Sequence, residues 1–219
     1  MVGRGQQLLG CEKGWVLLMS GSPPSGFTLI ELMIGLAIAA ILLVLAMPGY
    51  STWIADSQIR NAAESIASGL RYAQAEAIRQ NSTVQFTLDP TSGTGGWTAD
   101  LVDITTCKTV GASVQVGTFK EGANRVGFTT LDINGVAGGT VVTFTSLGDR
   151  MKNGAGAIKN CDGTEMLGEV DIASGVAGSR QLNVVIFGGK SGVAGQGNRS
   201  GIKICDPKWP ATDPKGCPA

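Results

Sequence analysis

The stretch SGFTLIELMIGLAIAAILLVLAMPGY, residues Ser25 to Tyr50, is almost entirely apolar but contains one carboxylate, that of Glu31. As an α-helix, the apolar part from Phe27 to Met47 would be about 30 Å long, which is the thickness of the hydrocarbon core of a bilayer. A cleaved secretory signal would be shorter and would end in an Ala-x-Ala site. The stretch therefore predicts a helix that spans a membrane or forms the core of a filament.

The presence of Glu31 requires an explanation, because inserting an acid at the centre of a bilayer costs roughly 2.5 to 3.5 kcal/mol of free energy. A local reason is a capping box, in which Thr28 is the N-cap and Glu31 the third helical residue, each satisfying a free backbone N–H. A functional reason is a charge that pairs with another molecule. Taken alone, the residues fit both interpretations.

The hexapeptide Gly26-Phe27-Thr28-Leu29-Ile30-Glu31, with Pro48 further on, resembles the prepilin-peptidase site of type IV pilins and pseudopilins. The resemblance implies a leader of residues 1–26 that is cleaved after Gly26, and N-methylation of the new terminus at Phe27. It also implies a prepilin peptidase and other pilins or pseudopilins as partners. The leader begins at Met1 or, alternatively, at Met19.

Cleavage would leave a positively charged amine on Phe27. In a bundle of apolar helices that excludes water, this amine needs a partner, and Glu31 of a neighbouring subunit can supply it. A mismatched register would strand two charges, so Glu31 would also help to set the axial register during assembly. Pro48 removes a helical hydrogen bond, and it either bends the helix or ends the membrane segment.

Residues 48–81 predict an amphipathic continuation of the helix. Apolar residues recur at three- and four-residue spacing and would form one face that packs on a sheet: Ile59, Ala62, Ala63, Ile66, Leu70, Ala73 and Ala77. The stretch QIRNAAESIASGLRYAQAEAIRQN is similar to the same region of GspH/FimT-type minor pilins and pseudopilins.

The remainder, residues 82–219, is rich in glycine and predicts short strands separated by turns. Together with the helix, this predicts an α+β fold in which a long N-terminal helix packs on a C-terminal antiparallel β-sheet domain. A long loop is expected over residues 151–176. Strands are expected at residues 83–88, 97–104, 113–119, 125–131, 139–148, 181–188 and 201–205.

Four cysteines follow the apolar run, which suggests two disulfides in an oxidising compartment. Three pairings are possible. The favoured one joins Cys205 to Cys217, because both lie in the short tail, and therefore Cys107 to Cys161. Free buried thiols are the alternative, and a zinc site is disfavoured because no Cys-x-x-Cys spacing occurs.

The sequence contains no histidine, which removes the commonest general base and the commonest zinc ligand. A phosphate loop at FGGKSG, residues 187–192, would need a glycine where Val184 stands, so a hairpin turn is the better interpretation. We therefore expect no enzyme, no cofactor and no metal site.

The tail from residue 180 onward carries six basic and two acidic side chains, although the formal net charge of the whole chain is zero. Basic side chains near an aromatic ring can bind phosphates and stack on a base. Some FimT-type relatives are DNA-binding minor pilins with a basic C-terminal motif that resembles Gly-Arg-x-Arg, and only Arg199 corresponds to it here. Arg199 and the basic tail residues Lys203 and Lys208 are the candidate contacts to double-stranded DNA. The alternative is a solvated surface turn.

These observations predict a minor pilin or pseudopilin of a type IV pilus or a type II secretion system. The resemblance implies a single pass through the inner membrane, a periplasmic C-terminal domain, and a place in the pilus or pseudopilus after assembly. The first alternative is a FimT-like receptor for DNA uptake in natural transformation. The second is a surface adhesin that uses the loop at residues 151–176.

Overall fold

The computed structural model of the chain describes residues 26–120, 122–154, 156–186 and 201–218, and for residues 46–48 it describes the backbone only. Residues 1–25 of the predicted leader, the FGGKSG stretch, Arg199 and the side chain of Pro48 lie outside the described residues. The chain divides into two compact units, residues 1–45 and 46–219.

Helix α1 runs from Leu29 to Gln80 and contributes to both units. It begins where the sequence predicts, since the Glu31 backbone N–H donates to the Thr28 hydroxyl at 3.2 Å, as an N-cap requires. Asn81, directly after the helix, adopts a left-handed conformation with φ of 48°, which terminates it. The backbone remains helical through position 48, so Pro48 does not end the helix.

In the first unit, every residue from Gly26 to Leu45 is exposed, including Glu31. Among the described residues, no single helix is long and apolar enough to cross a membrane. The helical segments Leu29–Leu45 and Gly49–Gln80 have the length and composition of a membrane span only when they are taken together, as a bent pair.

The described part of the second unit forms two antiparallel sheets. In the first, β3, β2, β1 and β6 are neighbours in that order and β4 also pairs with β2; in the second, the order is β5, β7, β8, β9. The strand bounds are β1 Val84–Asp89, β2 Gly96–Asp103, β3 Lys108–Thr109, β4 Gln115–Thr118, β5 Val126–Asp132, β6 Val141–Phe144, β7 Leu167–Ser174, β8 Leu182–Ile186 and β9 Ile202–Cys205. A long helix beside antiparallel sheets confirms the predicted α+β class.

The core lies between the apolar face of α1 and the two sheets. All seven apolar residues predicted for this face, from Ile59 to Ala77, are completely buried. Trp97 of β2 fits against two glycines, because a Cβ at Gly69 of α1 would lie 2.6 Å from its ring, and one at Gly117 of β4 would lie 2.3 Å from it. The indole N–H donates to the Ser65 hydroxyl at 3.1 Å.

Strand β7 corrects the prediction of a long loop over residues 151–176. It pairs with both β5 and β8 and is therefore an inner strand of the second sheet. Val170 and Ile172 are buried while Glu169 and Asp171 face away from the core, so buried and half-buried side chains alternate as in other strands. Gly168 and the two acids have low strand propensity and obscured this alternation. The loop proposed for adhesion is correspondingly shorter.

Replacing Gly69 with Ala is expected to lower the free energy of unfolding by about 1 to 3 kcal/mol, as overpacking does. The added methyl would press on Trp97 and Phe86, and this outweighs the gain of about 1 kcal/mol in helix propensity. Urea denaturation would measure the change. Gly49→Ala is the matched control, because a Cβ there meets no atom within 4 Å; equal stability changes in the two variants would contradict the packing argument.

Candidate functional site

The residues of the predicted cleavage site are accessible. Gly26 to Thr28 precede α1 without regular secondary structure, so the peptide bond after Gly26 lies outside the helix. Phe27 is 84% exposed, and a Cβ built on Gly26 would meet nothing within 4 Å. This geometry suits a peptidase that must bind the backbone on both sides of the bond.

Glu31 lies in the first turn of α1, where the positive end of the helix dipole favours a carboxylate. It is the only charged residue between Phe27 and Met47. Because it is exposed within an exposed apolar segment, it places one carboxylate on a contiguous apolar surface, the kind of surface that marks an interaction site.

A second site lies in the loop between Cys205 and Cys217, which are joined by a disulfide with Cα atoms 4.9 Å apart. The loop contains Asp-Pro-Lys twice. In each copy the aspartate accepts the lysine backbone N–H, at 2.9 Å from Asp206 to Lys208 and at 2.8 Å from Asp213 to Lys215. These two turns fix the lysine positions on either side of Trp209.

The loop is tied back to β9 by further contacts. The Asp206 N–H donates to the Lys215 carbonyl at 2.8 Å, and the Lys203 ammonium donates to the Gly216 carbonyl at 2.7 Å. A Cβ at Gly216 would lie 2.0 Å from the Pro210 carbonyl oxygen, so only glycine fits there. The loop is therefore a preformed surface.

This loop forms one side of a cleft of about 600 Å³. Among the described residues that line the cleft, Arg180, Lys208 and Lys215 are basic and only Asp206 is acidic. The Lys215 ammonium lies 5.4 Å from the centre of the Trp209 ring, in a cation–π contact. The Arg180 Nε lies 3.5 Å from the Asp56 carboxylate of α1, which orients the guanidinium.

The three tail residues predicted to bind DNA have different surroundings in the structure. Lys208 lines the cleft, Lys203 is half-buried and bonds to the loop backbone, and Arg199 lies outside the described residues. Sequence reasoning did not select Arg180 and Lys215. The repeated Asp-Pro-Lys between Cys205 and Cys217 was a signal that could have found Lys215.

The structure joins the cysteines in the pairing favoured from the sequence. Besides Cys205–Cys217, the disulfide Cys107–Cys161 has its Cα atoms 5.5 Å apart and connects positions separated by 54 residues. It ties the turn after β2 to the connection between β6 and β7. In the part of the chain that the structure describes, no group of three His, Cys, Asp or Glu residues could hold a metal ion.

The family model described as "Type II transport protein GspH" matches residues 62–189, which is more than half of the chain. The chain belongs to the GspH family. A second model, "Prokaryotic N-terminal methylation motif", matches residues 23–47 of this GspH-family chain, a range that includes Gly26, Phe27 and Glu31. The resemblance to type IV pilin-like proteins is thereby confirmed.

Curated relatives are fimbrial proteins of Dichelobacter nodosus. One named "Fimbrial protein" is 44% identical over 71 residues, which is 32% of this chain and 44% of that protein. Two named "Type IV major fimbrial protein FimA" are 44% and 42% identical over the same length and share of this chain. The chain spans less than half the length of these relatives. No solved structure matches significantly.

The matched families consist of structural pilin and pseudopilin subunits. The methylation motif implies processing by a prepilin peptidase, and the pilin relatives imply assembly with other pilins. An N-terminal hydrophobic helix in such a family points to membrane anchoring before assembly.

Proposed function

We propose that this chain is a minor pilin or pseudopilin of a type IV pilus or a type II secretion system. A prepilin peptidase cleaves it after Gly26, and Phe27 is N-methylated. It crosses the inner membrane once through residues 27–47, with the β-rich domain of residues 82–219 in the periplasm. The observation that carries this proposal is the exposed apolar segment from Phe27 to Leu45, which has a single carboxylate and lies inside a match to the methylation motif.

The exposed helix requires two successive environments. Before assembly, lipid covers the side chains of Phe27 to Leu45, since a soluble protein rarely exposes so large an apolar surface. After assembly, the equivalent helices of other subunits replace the lipid, and Glu31 pairs with the terminal amine of a neighbouring Phe27. Pro48, within α1, lacks a helical N–H and gives the helix a place to bend between these environments.

The proposal is tested by the N-terminus of the mature protein. Mass spectrometry of the chain purified from its own cells is expected to find Phe27 as the first residue, with one methyl group on its amine. The same species should occur in the sheared filament fraction. An N-terminus elsewhere, or an unmethylated Phe27, would contradict the assignment of the processing site.

The basic cleft supports a second function, DNA binding during uptake for natural transformation. Arg180, Lys208 and Lys215 line one cleft on a chain with zero formal net charge. The disulfide-closed loop carries the two lysines, and the Asp56 carboxylate orients Arg180. Such a local concentration of basic side chains is what a polyphosphate backbone requires. Lys203 contributes by holding the loop through its bond to Gly216.

Duplex DNA binding by the full chain in a non-ionic detergent is expected to weaken with salt. Three phosphate contacts predict a slope of log Kobs against log salt of about −2.7. In the Lys208→Gln, Lys215→Gln variant the slope should fall to about −1, and affinity at low salt should drop at least tenfold. Fluorescence anisotropy of a labelled 20-base-pair duplex measures both quantities.

The matched control is Lys108→Gln, Lys120→Gln, which removes the same charge from exposed positions that do not line the cleft. It should bind like the parent. Equal losses in the two double variants would mean that DNA responds to overall charge and not to this cleft.

A further inference from the structure

Trp209 is a large aromatic side chain that remains 46% exposed inside the basic cleft. Its backbone is fixed, because its N–H donates to the Asp206 carbonyl at 3.1 Å and the disulfide closes the loop around it. With the backbone fixed, only two side-chain torsions remain to be restricted, so the ring loses little conformational entropy on binding. The ring is therefore well prepared to stack on a flat ligand.

A stacking ring and a group of cations make different demands on a nucleic acid. The cations can bind phosphates of either a duplex or a single strand. The ring can stack only on a base whose face is free, and in a duplex the bases are already stacked on each other. Only an unpaired strand offers both groups at once. A cleft of about 600 Å³ is also in the range of pockets that enclose small ligands, which suits a nucleotide better than a whole duplex.

We propose that the cleft binds single-stranded DNA in preference to duplex DNA. One base stacks on Trp209, and the flanking phosphates bind Lys208 and Lys215. This inference rests on DNA binding as proposed above and specifies which form of DNA the site takes.

The contact between Lys215 and Trp209 couples the two binding events. In the free protein the Lys215 ammonium lies over the ring at 5.4 Å. A phosphate attracts this ammonium more strongly than the ring does, because it offers a charge-assisted hydrogen bond. As Lys215 moves to the phosphate, it uncovers the ring for the adjacent base. A strand with phosphates but no bases would make only the first of these contacts.

The test compares three probes of twelve phosphates each, at one salt concentration, with the full chain in non-ionic detergent and its disulfides intact. The probes are an oligothymidylate, an abasic strand of the same length, and a hairpin duplex whose two strands are joined by a linker without bases. We expect the oligothymidylate to bind about tenfold more tightly than the other two, since stacking on an aromatic side chain contributes on this order. Trp209→Ala should reduce its affinity to that of the abasic strand, whereas Trp209→Phe should retain most of it.

Duplex binding by Trp209→Ala serves as the folding control, because it depends on the cations alone. If all three probes bind equally and Trp209→Ala changes none of them, single-strand preference is wrong while DNA binding through phosphates stands. If the parent binds none of the probes at low salt, both proposals are wrong. Neither result would affect the proposed role as a filament subunit.

Discussion

Replacing Glu31 with Val is expected to reduce incorporation into filaments by more than tenfold while leaving the amount of protein in the membrane unchanged. In the assembled bundle the amine of Phe27 would be buried without its partner, and breaking a buried ion pair costs about 3 to 5 kcal/mol. Immunoblots of the sheared filament fraction and of the membrane fraction, compared with the parent, measure the two quantities.

Two further variants separate charge pairing from helix capping. Thr28→Ala removes the N-cap hydroxyl that accepts the Glu31 N–H and costs about 1 kcal/mol at the helix end, but it leaves the carboxylate in place. It should assemble almost normally. Glu31→Gln retains the size of the side chain without its charge and should fail like Glu31→Val. Normal assembly of Glu31→Val, or equal failure of Thr28→Ala, would refute the charge-pairing role.

Replacing Cys107 and Cys161 together with Ser is expected to lower the free energy of unfolding by about 4 kcal/mol. The disulfide closes a loop of 54 residues and so restricts the unfolded chain strongly. Removal of Cys205–Cys217, which closes a loop of 12 residues, should cost somewhat less, about 3 kcal/mol. Urea denaturation of the oxidised parent and of the two double variants measures the difference.

The two double cysteine variants should rank in the opposite order for DNA binding: the one that costs less stability should lose more affinity. Loss of Cys205–Cys217 releases the loop that holds Lys208 and Lys215, so duplex affinity should fall. Loss of Cys107–Cys161 leaves the cleft residues in place and should leave the affinity of the folded protein unchanged. A stability loss below about 1 kcal/mol in the Cys107, Cys161 variant would mean that the loop is already restricted in the unfolded state.

The features encoded by local spacing could be predicted from the sequence. The start of α1 depends on Thr28 and its neighbours, and its buried face depends on a helical period that survives in the residues from Ile59 to Ala77. Strand β7 was missed because Glu169 and Asp171 occupy its outer face. Its alternation is meaningful only once β5 and β8 are known to lie on either side of it.

The basic cleft was only partly predictable, because it depends on pairing between distant segments. Arg180 comes close to Lys208 and Lys215 because β8 and β9 are neighbours and the disulfide folds the tail back. Lys203 was an equally good candidate by charge. Its position in β9, next to the returning loop, uses its ammonium for the Gly216 carbonyl instead. Charge counting could not distinguish these lysines.

The fit of Trp97 between Gly69 and Gly117 has a consequence for how this family diverges. The three positions share one volume, although they lie on a helix and on two strands far apart in the chain. A relative that carries a side chain at position 69 or 117 must carry a smaller residue at position 97. Residue size at these sites should therefore vary together across the family, and a relative that keeps the tryptophan should keep both glycines.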